Sequence, residues 1–196
     1  MPHLLVTGAS GFLGGRTAAH FAGVPDFLVR ATSRSTKKAG VLTQLGCEFV
    51  PGDLTDANFV STLVAGIDII VHCAALSSPY GIKSAFESAN IIATETLLQA
   101  ARNAGVSKFI FISTPTIYVD LTSKFNVKES DPLPRKPVNR YAETKLLAEQ
   151  IVLSNNTQAI QTLALRPRAI IGAEDTVIFP RVLNAYEKGK LKIVGR

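Results

Sequence analysis

The chain has no tryptophan, three histidines and two cysteines in 196 residues. Cys47 and Cys73 lie in different segments without a C-x-x-C spacing, which argues against a disulfide framework and fits a reduced, cytoplasmic protein. His3, His20 and His72 stand apart from one another and from the cysteines, so no metal site is expected. Charge is scattered, without a block of like sign and without cations interleaved with aromatics, so nucleic acid is not an expected partner. No apolar run approaches the length of a membrane span. Met1 leads directly into a strand, so no signal peptide is read. Internal repeats and low-complexity segments are lacking as well. What is present is apolar material, 46% of residues, enough for a large core, and a formal net charge of +6 that suits an anionic cofactor or substrate.

The chain is organised around Leu4-Leu5-Val6-Thr7-Gly8-Ala9-Ser10-Gly11-Phe12-Leu13-Gly14. This reads as an apolar strand, a glycine turn and the start of a helix, spaced G-x-x-G-x-x-G. Gly8 lets the backbone turn off the strand, Gly11 lets a pyrophosphate approach the main chain, and Gly14 lets the helix pack close to the sheet. Amides at the helix start, with the helix dipole, attract phosphate. Strands follow at Phe27–Thr32, Cys47–Val50, Ile67–His72, Phe109–Ile112 and Thr162–Arg166. Helices alternate with them at Ser35–Gly46, Asp56–Ala65, Lys83–Asn103 and Asn139–Asn155, with Asp56 a candidate N-cap. A further helix at Val177–Lys188 and a short strand at Leu191–Val194 close the chain. This alternation predicts an α/β fold, a doubly wound parallel sheet of the Rossmann type. Thr114–Pro137 breaks the rhythm as a long loop with prolines at 115, 132, 134 and 137, and loops of that length are often functional.

Tyr141 and Lys145 share one face of the helix after that loop. A lysine one turn from a tyrosine favours the phenolate, and a tyrosine so placed exchanges a proton with a carbonyl or alcohol oxygen. Ser113 and Thr114 stand at the carboxyl end of the fifth strand, where ligands of open parallel sheets gather, and a hydroxyl there holds a reacting oxygen near Tyr141. The end of the second strand carries no acid of the kind that binds an NAD ribose. It carries Ser33 and Arg34, which favours NADP(H) over NAD(H), although Arg34 also suits stacking on adenine or a solvated loop.

Together Thr7-Gly8-Ala9-Ser10-Gly11-Phe12-Leu13-Gly14, Ser113-Thr114-Pro115-Thr116-Ile117-Tyr118 and Tyr141-x-x-x-Lys145 resemble the extended short-chain dehydrogenase/reductase superfamily over nearly the whole chain. The nearest look is the 3β-hydroxysteroid dehydrogenase-like and epimerase/dehydratase branch, with a likeness to reductases of 2-alkyl-3-oxoacids. The resemblance implies a nicotinamide cofactor held by Thr7, Gly8, Ser10, Gly11, Phe12, Leu13 and Gly14, with Ser33 and Arg34 at the adenosine ribose. It assigns Asp53 and Leu54 to the adenine and sets Cys73, Ala74 and Ala75 beneath the cofactor. Ile112, Ser113, Tyr141 and Lys145 then flank the nicotinamide half, which Pro167, Ala169 and Ile170 line. Asn90 matches the family's structural asparagine. The catalytic hydroxyl, four residues before the aromatic Tyr118, is Thr114, where serine is commoner. The implied catalytic set is Thr114, Tyr141 and Lys145.

The activity implied is interconversion of a secondary alcohol and a ketone on a small molecule. A nucleotide-sugar epimerase or dehydratase with tightly bound NAD is an alternative, and a non-catalytic NADP(H) sensor is another. Residues 1–175 read as the cofactor domain and 176–196 as the start of a substrate lobe that the family continues further. The helices Lys83–Asn103 and Asn139–Asn155 suit the family's four-helix interface, so a homodimer is expected.

Overall fold

The computed structural model describes residues 1–78, 80–120, 122–175 and 178–190. Six parallel strands form a single sheet in the order β3-β2-β1-β4-β5-β6, built from β1 (His3–Thr7), β2 (Leu28–Ser33), β3 (Glu48–Pro51), β4 (Ile69–His72), β5 (Lys108–Ile112) and β6 (Gln161–Leu165). The order reverses between β1 and β4, which opens a crevice at the carboxyl ends of those strands, where doubly wound sheets bind ligands. Register aligns the exits: Thr7 lies opposite Thr32 and His72, and Ile112 opposite Leu165.

Strand residues alternate between two cores, because successive side chains leave opposite faces of a strand. Leu4, Val6, Val29, Ala31 and Val71 pack with Ala18 of α1 (Phe12–Ala22) and Leu42 of α2 (Ala39–Gln44). Leu5, Ile70, Phe109 and Phe111 pack on the other face with α3 (Ala57–Leu63), α5 (Ala93–Asn103) and α6 (Arg140–Ser154). Asp56 caps α3 as the sequence predicts, accepting from the amides of Asn58 at 2.9 Å and Phe59 at 3.1 Å. Asn139 caps α6 through the amide of Ala142 at 2.8 Å.

The helix read as continuous over Lys83–Asn103 has three parts: α4 (Lys83–Phe86), a π-helical stretch (Glu87–Ile92) and α5. Asn90, in the wide turn, is 1% exposed. Its side chain accepts from the amide of Leu76 at 2.7 Å and donates to the hydroxyl of Thr144 at 2.9 Å. One amide thus ties the segment after β4, the π turn and α6 together. Such bulges insert one extra residue per turn and frequently mark functional sites. A shorter 3-10 turn, Pro115–Tyr118, opens the long loop, and α7 (Phe179–Glu187) follows β6. Residue 177, the start of the helix read at Val177, and the strand read at 191–194 lie outside the described residues. No helix among the described residues is long and apolar enough to cross a membrane.

Asn90→Ala removes an acceptor from the part-buried Leu76 amide and a donor from the buried Thr144 hydroxyl, and each orphaned buried group costs about 1–3 kcal/mol. A fall in unfolding free energy of about 2–4 kcal/mol in urea is expected; a loss within the error of the titration would contradict the tie.

Candidate active site

The crevice begins where β1 ends. Gly8 has φ +69°, and a Cβ there would lie 2.8 Å from the backbone of Ala74. A Cβ on Gly14 would lie 2.4 Å from the carbonyl oxygen of Gly8. The strand, the turn and α1 therefore meet at backbone contact, which only these glycines permit. Gly11 is the N-cap of α1 and supplies no side-chain cap, in contrast to Asp56 of α3 and Asn139 of α6. That leaves backbone amides at a helix start open to an anion.

A groove of about 280 Å³ runs along the exits of β1, β2, β3 and β4. Of the residues the sequence assigned to the cofactor, Gly8, Ser10, Gly11, Ser33, Arg34, Asp53, Leu54, Cys73, Ala74 and Ala75 line it. Thr7 and Gly14 are buried behind the turn, and Phe12 and Leu13 are half-buried on the first turn of α1. Ile112, Ser113, Tyr141, Lys145, Pro167, Ala169 and Ile170 lie outside that groove, at the exits of β5 and β6 and on α6. Ser88, Ala89 and Ala93 complete the wall from the π turn and α5 and were missed. Their signal was three small residues around Asn90, on a helix next to the expected groove.

Arg34 and Asp53 face each other across this groove at 3.9 Å, with side chains 70% and 48% exposed. Hydrogen bonds from the Thr55 amide and hydroxyl, with the nearby Arg34, hold the Asp53 carboxyl below the usual carboxylate range. So an acid does stand beside Arg34, delivered by β3 rather than β2. Lys38 approaches the glycine turn, its Nζ 3.4 Å from the Gly11 carbonyl and 2.5 Å from Glu174.

The other half of the site forms where β5 meets α6. Lys145 is 2% exposed; its Nζ donates to the carbonyl of Ile112 at 2.6 Å and sits 3.8 Å above the Phe111 ring. Burial lowers its pKa to about 7, partly opposed by Cys73 and Glu149. Tyr141 is half-buried one turn earlier on the same helix. Thr114 is 7% exposed; its Oγ1 accepts from the Thr116 amide at 3.2 Å and lies 2.9 Å from the Thr116 hydroxyl. Ser113 is 4% exposed, and its hydroxyl has no partner among the described residues. The two hydroxyls the sequence read together thus have different surroundings.

Behind these groups runs a buried polar chain. The Ala74 amide donates to Thr7 Oγ1 at 3.1 Å, and Thr7 Oγ1 lies 2.7 Å from His72 Nδ1. Thr94 spends its hydroxyl proton on the Asn90 carbonyl at 2.7 Å, so at 3.0 Å it accepts from His72 Nε2–H. That fixes the neutral tautomer with Nδ1 accepting from Thr7. Burial, with the Lys145 charge, pushes the imidazole pKa down to about 3, which keeps it neutral.

The NAD-dependent epimerase/dehydratase family model matches residues 4–196. The chain belongs to that family. Among curated relatives, a 4-hydroxy-2-methyl-3-oxo-4-farnesyl-3,4-dihydroquinoline-1-oxide ketoreductase of Stigmatella aurantiaca is 36% identical over 96% of this chain and 56% of its own length. A 2-alkyl-3-oxoalkanoate reductase of Stenotrophomonas maltophilia is 32% identical over 98% of the chain and 58% of its own. A 3β-hydroxysteroid dehydrogenase/Δ5→4-isomerase of Mycobacterium tuberculosis is 32% identical, covering 98% and 54%. A solved UDP-glucuronic acid 4-epimerase from Bacillus cereus, in complex with NAD, superposes with a TM-score of 0.81 at 26% identity, over 96% of this chain and 63% of that one. The chain thus spans little more than half the length of the curated relatives it matches. The glycine cradle, the open start of α1 and the groove along the switch point fit the dinucleotide that the family name implies.

Lys145 gives stability a sign with pH. Between about 7 in the native state and 10.5 in the unfolded chain, the unfolded chain holds a proton that the native one does not. Stability from this group therefore rises as pH climbs from about 7. Above 9 the Cys73 thiol, pushed up to about 12 by burial, counts the other way. The melting temperature of cofactor-free protein should gain on that of Lys145→Met at pH 9 relative to pH 7. A difference between the two proteins that is flat with pH would show Lys145 charged throughout.

Proposed function

We propose that the chain carries the cofactor-binding and acid–base half of an oxidoreductase that interconverts a secondary alcohol and a ketone with NADP(H). The observation that carries this reading is the buried Lys145 at the exit of β5, one helical turn from Tyr141 and on the strand end that delivers Thr114. A sensor or scaffold has no use for a desolvated ammonium beside a phenol, because burying the charge costs stability without binding anything.

In this reading the nicotinamide supplies the hydride. Tyr141 gives a proton to the carbonyl oxygen in reduction and takes it in oxidation. Thr114 donates its hydroxyl proton to the same oxygen. It is free to do so because both of its contacts with Thr116 can be ones in which its oxygen accepts. Lys145 holds positive charge beneath the phenol and offers its remaining donors to the cofactor ribose. Ser113, buried and unpartnered, offers a hydroxyl on the cofactor side. Arg34 meets the adenosine 2′-phosphate, and the loose 3.9 Å pairing with Asp53 leaves the guanidinium available for it.

Residues 1–175 act as the cofactor domain, and 176–196 begin the substrate lobe. A second reading, an epimerase or dehydratase with tightly held NAD, draws on the fold match to the NAD-bound epimerase and on Asp53, whose carboxylate suits an unphosphorylated ribose. The curated ketoreductase and oxoalkanoate reductase relatives favour the first.

A titration separates them. Reversible binding, tighter for NADPH than for NADH by about tenfold and levelled by Arg34→Ala, is the expected outcome. Cofactor that survives dialysis, or a preference untouched by the substitution, would favour the epimerase. Tyr141→Phe should lower kcat by about 10²–10⁴-fold while leaving the NADPH dissociation constant nearly unchanged.

A further inference from the structure

The residue that follows β6 reaches both sides of the β5 exit. Arg166 forks onto Glu149 of α6, with Nε to Oε2 at 3.0 Å and Nη2 to Oε1. Its remaining nitrogen, Nη1, donates to the Tyr118 hydroxyl, and the guanidinium carbon lies 5.1 Å from the centre of the Tyr118 ring. Tyr118 passes its own proton to the Glu129 carbonyl at 3.3 Å, which ties the long loop into the same cluster.

Each arm leads to a group of the acid–base set. Glu149 stands one helical turn after Lys145, as Lys145 stands one turn after Tyr141. Tyr118 closes the 3-10 turn that Thr114 caps: the Thr114 hydroxyl accepts from the Thr116 amide at 3.2 Å, and the Val119 amide bonds the Thr116 carbonyl at 3.1 Å. Lys145 in turn donates to the carbonyl of Ile112, two residues before Thr114. The path Thr114, Tyr118, Arg166, Glu149, Lys145, Ile112 thus returns to the strand end where it began. The guanidinium is also carried by backbone already fastened to β5, because the neighbouring Leu165 carbonyl takes the Ser113 amide at 2.7 Å.

Stability alone is a poor reason for such a pair. The Glu149 and Arg166 side chains are 2% and 18% exposed, and a packed apolar pair in place of a buried ion pair is often as stable or more so. What a planar guanidinium adds is direction, since its N–H groups are fixed in one plane and fork onto a carboxylate in a single geometry. We propose that Arg166 is a positioning residue of the acid–base set, holding with one arm the carboxylate beside Lys145 and with the other the turn on which Thr114 stands. For what that set does, the inference rests on the reductase reading; the two ties do not depend on it.

The surrounding charges give the arms different signatures. Lys145 meets Cys73 and His72 from the exit of β4, and Tyr141 and Glu149 along α6. Arg166 meets Glu149, Tyr118 and Glu129, and Asp131 adds negative charge near Tyr118. An anion beside the Lys145 amine favours its charged form, and a cation that shares that anion opposes it.

The test reads the arms separately in the full chain without cofactor. Tyr118→Phe cuts only the hydroxyl arm. Hydrogen exchange at the Thr116 and Val119 amides should quicken by at least about fivefold, while the Lys145 amine, followed by carbon-13 NMR of labelled lysine, titrates as in the wild type. Glu149→Gln should lower the Lys145 midpoint by at least about half a pH unit, because the anion beside the amine is lost. Arg166→Gln should quicken the same amides and raise that midpoint, because the cation competing for Glu149 is gone. Amides unmoved in Tyr118→Phe, or midpoints that Glu149→Gln and Arg166→Gln shift in one direction or not at all, would overturn the proposal. If Arg166→Gln does not fold, the other two decide it: Tyr118→Phe must move the amides alone, and Glu149→Gln must lower the midpoint. With NADPH and acetophenone, Tyr118→Phe should lower kcat by about tenfold at an unchanged KM for NADPH. An unchanged kcat would overturn the positioning role and leave the reductase standing. No turnover by the wild type would count against the reductase reading, and exchange and titration, which need no substrate, then decide the ties alone.

Discussion

A single lysine amine held out of water ties α6 to the strand exits of this sheet. Lys145 lies between β5 and α6, where an unpaired charge would cost several kcal/mol. Three local features offset that cost: the carbonyl of Ile112, which β5 leaves free at its last residue; the face of Phe111; and the carboxylate of Glu149 one turn further along α6. Glu149 is itself buried and pairs with Arg166, which arrives from the end of β6. The lysine thus makes the position of α6 depend on two strand exits at once. Tyr141, one turn earlier, inherits that position.

The neutral imidazole of His72 does comparable work for the cofactor half. Its tautomer is dictated by Thr94, and through Thr7 it holds the amide of Ala74 against the Gly8 turn. At its other end the chain reaches the Asn90 carbonyl, and the Asn90 side chain reaches Thr144 on α6. Each hydroxyl proton along this path has a defined acceptor, so the path has one direction and no unsatisfied member. Buried networks of that kind rigidify when complete and are costly when broken. The glycine turn and the Tyr141 helix are therefore joined by side chains, although neither touches the other in sequence or through the sheet ladder.

The strand-helix alternation, the glycine turn and the Tyr141–Lys145 pair were legible in the sequence because each rests on local spacing. Periodicity located each of the six described strands to within two residues, and the cap at Asp56 followed from the short side chain preceding an apolar run. The π turn at Glu87–Ile92 was not legible. Its apolar spacing passes for ordinary helix, and what widens it is the demand of Asn90 for partners at Leu76 and Thr144, far along the chain. Asp53 was assigned to the adenine, but its place beside Arg34 was not legible, for a related reason. The search ran along the end of β2, while the carboxylate comes from β3, and pairing β2 with β3 places Ser33 opposite Pro51 just before Asp53. Lys38 likewise comes from a loop that only the sheet brings to the glycine turn.

The two halves of the site are prepared to different degrees. Around Lys145 and His72 the polar side chains are mostly buried and hydrogen-bonded, Ser113 excepted, so in the proposed reaction the acid–base geometry is set before any ligand arrives, which is where preorganised charge has its largest effect. Around Arg34 the cation is exposed and loosely held, so in the proposed reading recognition there is made on contact with an anion. Exposed charges are screened by salt and individually weak, but they tolerate substitution without unfolding the sheet. Charge in this chain is thus partitioned: buried and hydrogen-bonded at Lys145, where the proposed proton transfer takes place, and exposed at Arg34, where the proposed cofactor is chosen.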